Sequence, residues 1–471
     1  MGPVESLKYF IPELIILCGA FGAFLLDFAV RNKRAVGIFS LFVMAAAAFA
    51  MKNPAGETLS LFYGFFHLDV FAHWFRIFAL IAVSVTLMLA MDYPPLKNRY
   101  EGEFYGLFLF MAFALITVAA ANNLLMIFLA VEFVSLLSYL LTGFLKHDPK
   151  AKEAAVKYLL FGSVCSGIML YGISLLYGAA GSIELGHVWQ TLRSPSMSAL
   201  GTVGVLCFFA GLGFKISMAP FHMWAPDVYE GAPTPVTAFL TVGPKALGFA
   251  VFTRVLITVF SPSFAHWGVV LTALSMLTMT IGNLTAISQT NIKRFFAYSS
   301  IAQAGYILMG LAVFSPLGQN AVMIYLFAYL FTNLGAFAVV CLVEGASGKS
   351  NISDYAGLSE RSPATAFFMT VFLLSLTGIP PLAGFIGKYY VFAAAIEGKA
   401  IALAVVAAVN SAVAAYYYFR IIRVMYLVPK AETQPTFGTS PLYPKIVLWL
   451  MSAGVVTLGL FPGYFIKLLF G

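Results

Sequence analysis

Charge is the scarcest commodity in this sequence: only 10% of its 471 residues are Asp, Glu, Lys or Arg, against 61% apolar. A soluble globular domain carries about 25% charged residues, so that class is excluded. Cysteine is scarcer still. Cys18, Cys165, Cys207 and Cys341 all fall in apolar stretches without a C-x-x-C spacing, which argues against a zinc or iron–sulfur site and leaves them as packing residues. Phosphate-binding signatures are missing too: there is no P-loop, and "GLGFKI" at Gly211 lacks the third glycine of a dinucleotide fingerprint, leaving it as a small-residue helix surface. No basic cluster of the kind nucleic acid requires is present, although the net charge is +8.

Long apolar runs are what the chain does have. Crossing a membrane takes about 20 mostly apolar helical residues. Runs of that kind lie at 9–30, 35–51, 70–91, 103–120, 122–145, 154–179, 199–224, 236–258, 265–287, 295–313, 319–343, 364–396, 402–424 and 446–468. None alternates apolar and polar residues as barrel strands do. The expected fold is an all-α polytopic membrane protein of about 14 transmembrane helices. The first run lacks a basic leader and a small-residue cleavage site, so it is read as a retained helix.

Basic residues set the orientation. The loop after the first run and every second loop thereafter hold about sixteen Lys and Arg, against about five on the other side. "RNKR" at Arg31 to Arg34 and "KHDPKAK" at Lys146 to Lys152 belong to the rich side. The positive-inside rule puts that side in the cytoplasm and both termini outside.

Arg76, Lys157, Lys215, Lys245, Arg254 and Lys388 fall inside runs. Lys157 and Arg254 lie near run ends, where a long stem can bring the charge to the headgroups, and Arg76 is intermediate. Lys215, Lys245 and Lys388 lie deeper, with Glu132 of "LLMIFLAVEFVSLLSYLL" as an acidic counterpart. A charge at mid-membrane costs about 2.5–3.5 kcal/mol on insertion scales, so four of them read as a functional set.

Two runs are broken beside such lysines. Pro220 follows Lys215 in "GFKISMAPFHMW", and Gly378, Pro380, Pro381 and Gly384 precede Lys388 in "LTGIPPLAGFIGK". Backbone freed at such breaks is tolerated only where it lines a cavity or is buried in protein. The breaks are five runs apart, an odd number, so a repeat relating them is inverted in the membrane. The expected organisation is an N-terminal segment 1–102, inverted repeats 103–258 (helices 4–8) and 259–424 (helices 9–13), and a C-terminal segment 425–471.

"KAKEAAVKYLLFGS", "GFKISMAPFHMWAPDVYEGAPTPV", "NIKRFFAYSSIAQAGY" and "DYAGLSERSPATAFFMTVFLLSLTGIPPLAGFIGKYYVF" resemble the antiporter-like subunits of respiratory complex I, the proton-pumping NADH:quinone oxidoreductase, and above all its subunit N family. The resemblance implies that Glu132, Lys215, Lys245 and Lys388 carry protons, with Lys157 and Lys293 in matching motifs. His222 is either a proton shuttle or a satisfied interior histidine. It also implies that the chain holds no cofactor, while NADH, FMN, iron–sulfur clusters and quinone belong to partner subunits. Those partners are other membrane-arm subunits, among them antiporter-like subunit M and small subunits such as K, within the lipid bilayer of the bacterial cell membrane. Mrp-type cation/proton antiporter subunits and membrane-bound hydrogenase subunits share the core and form the alternative reading.

Overall fold

The computed structural model describes residues 1–52, 57–97, 101–192, 199–259, 264–430 and 441–470. The principal helices are α1 (Ile11–Ala29), α2 (Lys33–Ala50), α3 (Val70–Met91), α4 (Glu101–Ala120), α5 (Leu124–Thr142), α6 (Pro149–Ala180), α7 (Ala199–Ile216), α8 (Thr234–Val259), α9 (Phe264–Ile287), α10 (Ile292–Ala312), α11 (Pro316–Ser347), α12 (Pro363–Thr377), α13 (Ala383–Glu397), α14 (Ile401–Leu427) and α15 (Leu442–Leu460). Among the described residues, 13 of these are long and apolar enough to span a membrane. The chain is an all-α polytopic membrane protein with one small addition, a hairpin of three-residue strands β1 (Leu59–Leu61) and β2 (Phe66–Leu68). Sequence reading missed it because its segment is short and irregular between two long apolar runs.

Two expected spans prove to be divided. The run 199–224 is helical only to Ile216; Ser217 then takes a left-handed φ of 57°, and turns carry the chain to a short helix at Ala225–Gly231. The helix therefore ends four residues before Pro220, and Lys215 sits in its last turn rather than mid-helix. The run 364–396 is two 15-residue helices, α12 and α13, parted at Gly378–Leu382. The peptide bonds before Pro220 and Pro381 are both cis. A third difference is at the C-terminal end, where the run 446–468 becomes α15 followed by a separate helix, Pro462–Phe470.

Local chemistry explains the boundaries. Asn123 and Asn291 accept hydrogen bonds from backbone N–H groups at the starts of α5 and α10. Both 32-residue helices, α6 and α11, begin with a capped proline (Asp148–Pro149, Ser315–Pro316) and end at a left-handed glycine, Gly181 or Gly348. Asn123 pairs in an isolated bridge with Glu184, as Asn291 does with Asn351.

The chain packs as two compact units. One comprises Met1–Leu87, Asn98–Ile216 and Gly243–His266; the other comprises Met88–Lys97, Ser217–Val242 and Trp267–Gly471. In the first, α1 packs on α2 and α4, and α6 lies along α7. In the second, α11 is the central element, packed by α10, α12, α13 and α15.

Candidate functional site

In the first unit, Lys215 is 2% exposed. Its Nζ donates to Ser135 Oγ on α5. That hydroxyl donates to the Val131 carbonyl at 2.7 Å and lies 3.4 Å from Glu132 Oε1. Ser166 on α6 donates to the same Glu132 oxygen. Glu132 and Lys215 are therefore joined through a hydroxyl rather than in direct contact, among the described residues. Ser135 thus accepts from the ammonium while its own hydroxyl lies within reach of the carboxylate, so both polar groups meet one side chain. The two serines escaped notice in the sequence because a serine in an apolar helix carries no periodic signal. Their spacing of three residues from Glu132, and one helix away, becomes meaningful only when the helices pack.

Lys245 is 3% exposed in α8, directly after Pro244, within the helix. Gly248, one turn further on, fits α8 against the end of α7: a Cβ there would lie 2.6 Å from Ile216 Cγ2 and 3.2 Å from Lys215 Cβ. Gly248→Ala is expected to force these helices apart at a cost of about 1–3 kcal/mol, read as a lower melting temperature of the detergent-solubilised complex. An unchanged melting temperature would show that the neighbours yield freely.

In the second unit, Lys388 on α13 donates to the Thr377 carbonyl at 2.8 Å and to Ser411 Oγ at 3.2 Å, and its Nζ lies 4.7 Å from the Tyr306 ring centroid. Thr377 is the last residue of the half-helix α12, so an exposed carbonyl end of a helix faces the ammonium. Gly378 makes this possible. It caps α12 at φ +92°, and a Cβ there would lie 2.8 Å from Lys388 Cδ. Beyond Tyr306, the polar groups continue: Asn283 donates to the Tyr306 hydroxyl (3.1 Å) and to Asn410 Oδ1 (3.1 Å), and Tyr417 donates to Asn283 Oδ1 (2.8 Å). Gln303 donates to the Leu376 carbonyl at 3.1 Å and accepts from Tyr325 at 2.5 Å. Single Asn, Gln and Tyr residues scattered through apolar helices gave no sequence signal for this network.

The other predicted positions separate into distinct settings. Lys157 lies on α6 with a side chain 39% exposed, 2.8 Å from Glu153. His222 is half-buried in the turns after α7. Lys293 is buried at the start of α10, donating to the Ala232 carbonyl at 3.1 Å and lying 3.6 Å from Glu344. Arg76 pairs with Glu13 at 2.5 Å, both almost fully buried, an acidic partner that sequence reading had not singled out. Arg254 holds Asp69 by two bonds of 3.1 Å. No group of three or more His, Cys, Asp or Glu side chains that could hold a metal occurs among the described residues.

Residues 121–414 match a family described as NADH:quinone oxidoreductase/Mrp antiporter, transmembrane. A protein named NADH-quinone oxidoreductase subunit N from Anaeromyxobacter sp. (strain Fw109-5) is 41% identical over 493 aligned positions, covering 97% of this chain and 94% of that one. Among solved structures, a chain of respiratory complex I from Thermus thermophilus with bound aureothin is similar with a TM-score of 0.83 and 31% identity, covering 97% of this chain and 98% of the other. A chain of the Mrp complex from Dietzia sp. DQ12-45-1b is similar in fold, with a TM-score of 0.81 at 21% identity and coverage of 98% and 96%.

Proposed function

The chain belongs to the NADH:quinone oxidoreductase/Mrp antiporter transmembrane family, and within it to the subunit N family of NADH-quinone oxidoreductase, and on that premise we propose that it moves protons outward across the bacterial cell membrane as a membrane-arm subunit of that enzyme. Oxidation of NADH and reduction of quinone take place in partner subunits that hold FMN and iron–sulfur clusters. This chain contributes a conformationally driven series of buried lysines and no redox step. Its neighbours in the membrane arm are the antiporter-like subunit M and small subunits such as K, and both termini lie on the outer face.

The observation that carries this reading is the Glu132–Ser135–Lys215 link. When Glu132 approaches, it pairs with the ammonium through Ser135; when it withdraws, that partner is lost and Lys215 passes its proton on. Lys245 is the next carrier and Lys388 the last, resting on a helix-end carbonyl and a tyrosine face that favour a cation without fixing it in a tight ion pair. Matching caps and bridges at Asn123 and Asn291, Pro149 and Pro316, and Gly181 and Gly348 support two repeats, 103–258 and 259–424, whose odd helix number makes them inverted. His222 and Lys157 take supporting roles in relaying or steering charge.

In the complex reconstituted into vesicles, Lys388→Ala and Glu132→Ala are each expected to lower the number of protons moved per electron while electron transfer continues. Wild-type stoichiometry in both variants would remove the proposal.

A further inference from the structure

We propose that Glu344 is a proton-collecting carboxylate at the mouth of a polar seam between α8 and α11, an uptake point separate from the Glu132–Lys215 pair. The inference rests on the proton-translocating reading above and adds a route to it.

Four loop regions meet on this one side chain, all within the second unit. Glu344 lies at the end of α11. It accepts from Thr234 Oγ1 at the start of α8, from Ser350 Oγ at 2.9 Å in the loop after α11, and from the Tyr93 hydroxyl at 3.4 Å in the loop after α3; Lys293 Nζ, at the loop between α9 and α10, is 3.6 Å away. The loops after α3, after the broken α7, after α9 and after α11 alternate by an even number of crossings, so all four lie on one side of the membrane. By the distribution of Lys and Arg that side is the cytoplasmic, proton-supplying one.

The carboxylate is placed to mediate between water and the interior. Its side chain is 15% exposed, so it touches solvent, while Lys293 behind it is 7% exposed. The ion pair, at 3.6 Å, is looser than the 2.5 Å Glu13–Arg76 pair, and its donors are hydroxyls that can reorient. The titratable groups facing it are Lys293 from α10, Tyr93 from the loop after α3, Tyr355 from the 352–355 turn, and Cys341 on α11 itself. Burial, and then the Glu344 carboxylate, push the Tyr93 phenol well above its ordinary range, so Tyr93 stays a hydrogen-bond donor to Glu344.

From Glu344 the polar groups continue inward along facing stripes. On α8, Thr234, Thr241 and Lys245 are spaced by seven and four residues, one helical face. On α11, Asn333 lies eleven residues before Glu344, three turns back on the same face. The stripes touch again where Asn333 Nδ2 donates to Thr241 Oγ1. Asn333 Oδ1 is buried with no hydrogen-bond partner among the described residues, a position suited to exchange with water along a proton path. A proton taken from the aqueous side by the Glu344 carboxylate thus enters at Thr234 and is directed along the facing stripes toward Thr241 and Asn333.

The test compares Glu344→Gln, Asn333→Leu and Lys388→Ala in the reconstituted complex, measuring protons moved per second while the pH on the supplying side is raised from about 6.5 to about 8.5. Local charge focusing changes ion arrival rates by about ten-fold or more, and it matters most when bulk protons are scarce. Glu344→Gln is therefore expected to lower the ratio of the alkaline rate to the acid rate by at least about three-fold relative to wild type. Asn333→Leu, which leaves the mouth intact but interrupts the seam behind it, is expected to lower the rate at both pH values and leave the ratio unchanged, and it decides the matter alone if Glu344→Gln does not assemble. A wild-type ratio in Glu344→Gln, or a wild-type rate in Asn333→Leu, overturns the inference and makes Glu344 a clamp for four loops. Lys388→Ala separates the two levels: wild-type pumping there removes the underlying function, whereas lost pumping there with a wild-type ratio in Glu344→Gln or a wild-type rate in Asn333→Leu removes only the uptake route.

Discussion

Replacing Arg76 by methionine is expected to destabilise the protein by about 3–5 kcal/mol, the usual consequence of leaving a buried charge without its partner. Glu13, in the first turn of α1, and Arg76, in the second turn of α3, are each 1% exposed and 2.5 Å apart. Removal of the guanidinium strands a carboxylate in apolar surroundings, where it must either stay charged at great cost or take up a proton. The pair is also imperfectly satisfied, because Glu13 Oε2 and Arg76 Nε have no hydrogen-bond partner among the described residues. A fully apolar replacement of both is therefore expected to fare much better than either single change. Thermal unfolding of the detergent-solubilised complex checks this through the set Arg76→Met, Glu13→Leu and the double variant. If the double variant were as unstable as the sum of the singles, the ion pair would contribute nothing and the loss would be one of packing.

The second large effect is expected at Gly384. A Cβ there would lie 1.8 Å from the Ser375 carbonyl oxygen and 2.6 Å from its carbonyl carbon, which are backbone atoms of α12 that cannot rotate away. The Gly384 N–H meanwhile donates to Ser375 Oγ at 3.0 Å, drawing the start of α13 onto the end of α12. Gly384→Ala must push the two half-helices apart, at a cost of about 3 kcal/mol, the upper end for overpacking. It also moves Lys388, one turn further along α13, away from the Thr377 carbonyl. Loss of both chain assembly and proton movement is expected, with membrane levels of the complex measured alongside pumping. Gly167→Ala, where no atom lies within 4 Å of the new Cβ, is the matched control. Equal behaviour of the two variants would show that the broken helix tolerates displacement.

The difference between those two sites shows what could be read before any folding. Pro380, Pro381, Gly378 and Gly384 announce a broken helix beside Lys388 because proline and glycine act on their own backbone, a local effect visible in sequence. Glu13 announces nothing. A glutamate near the start of an apolar run looks like an ordinary helix-end charge, and its partner is 63 residues away. Glu344 is hidden for the same reason: at the edge of a long run it reads as a boundary marker, and its ligands come from segments up to 251 residues distant. Even the break after Lys215 was misplaced, since Pro220 is conspicuous while the left-handed turn at Ser217 that ends the helix is not.

Sequence alone determined that this chain is an all-α membrane protein that crosses many times, and it singled out the lysines that lie far from the ends of the apolar runs. Each of these follows from one-dimensional quantities: apolar run length, charge placement, and the reach of a side chain. Tertiary structure alone decided that Ser135 stands between Glu132 and Lys215, that a helix-end carbonyl rather than a carboxylate receives Lys388, and that four loops converge on Glu344. Those are facts about distance. In a helical membrane protein every span is apolar in nearly the same way, so composition carries almost no information about which faces meet; close packing at glycines such as Gly248 and Gly384 supplies it.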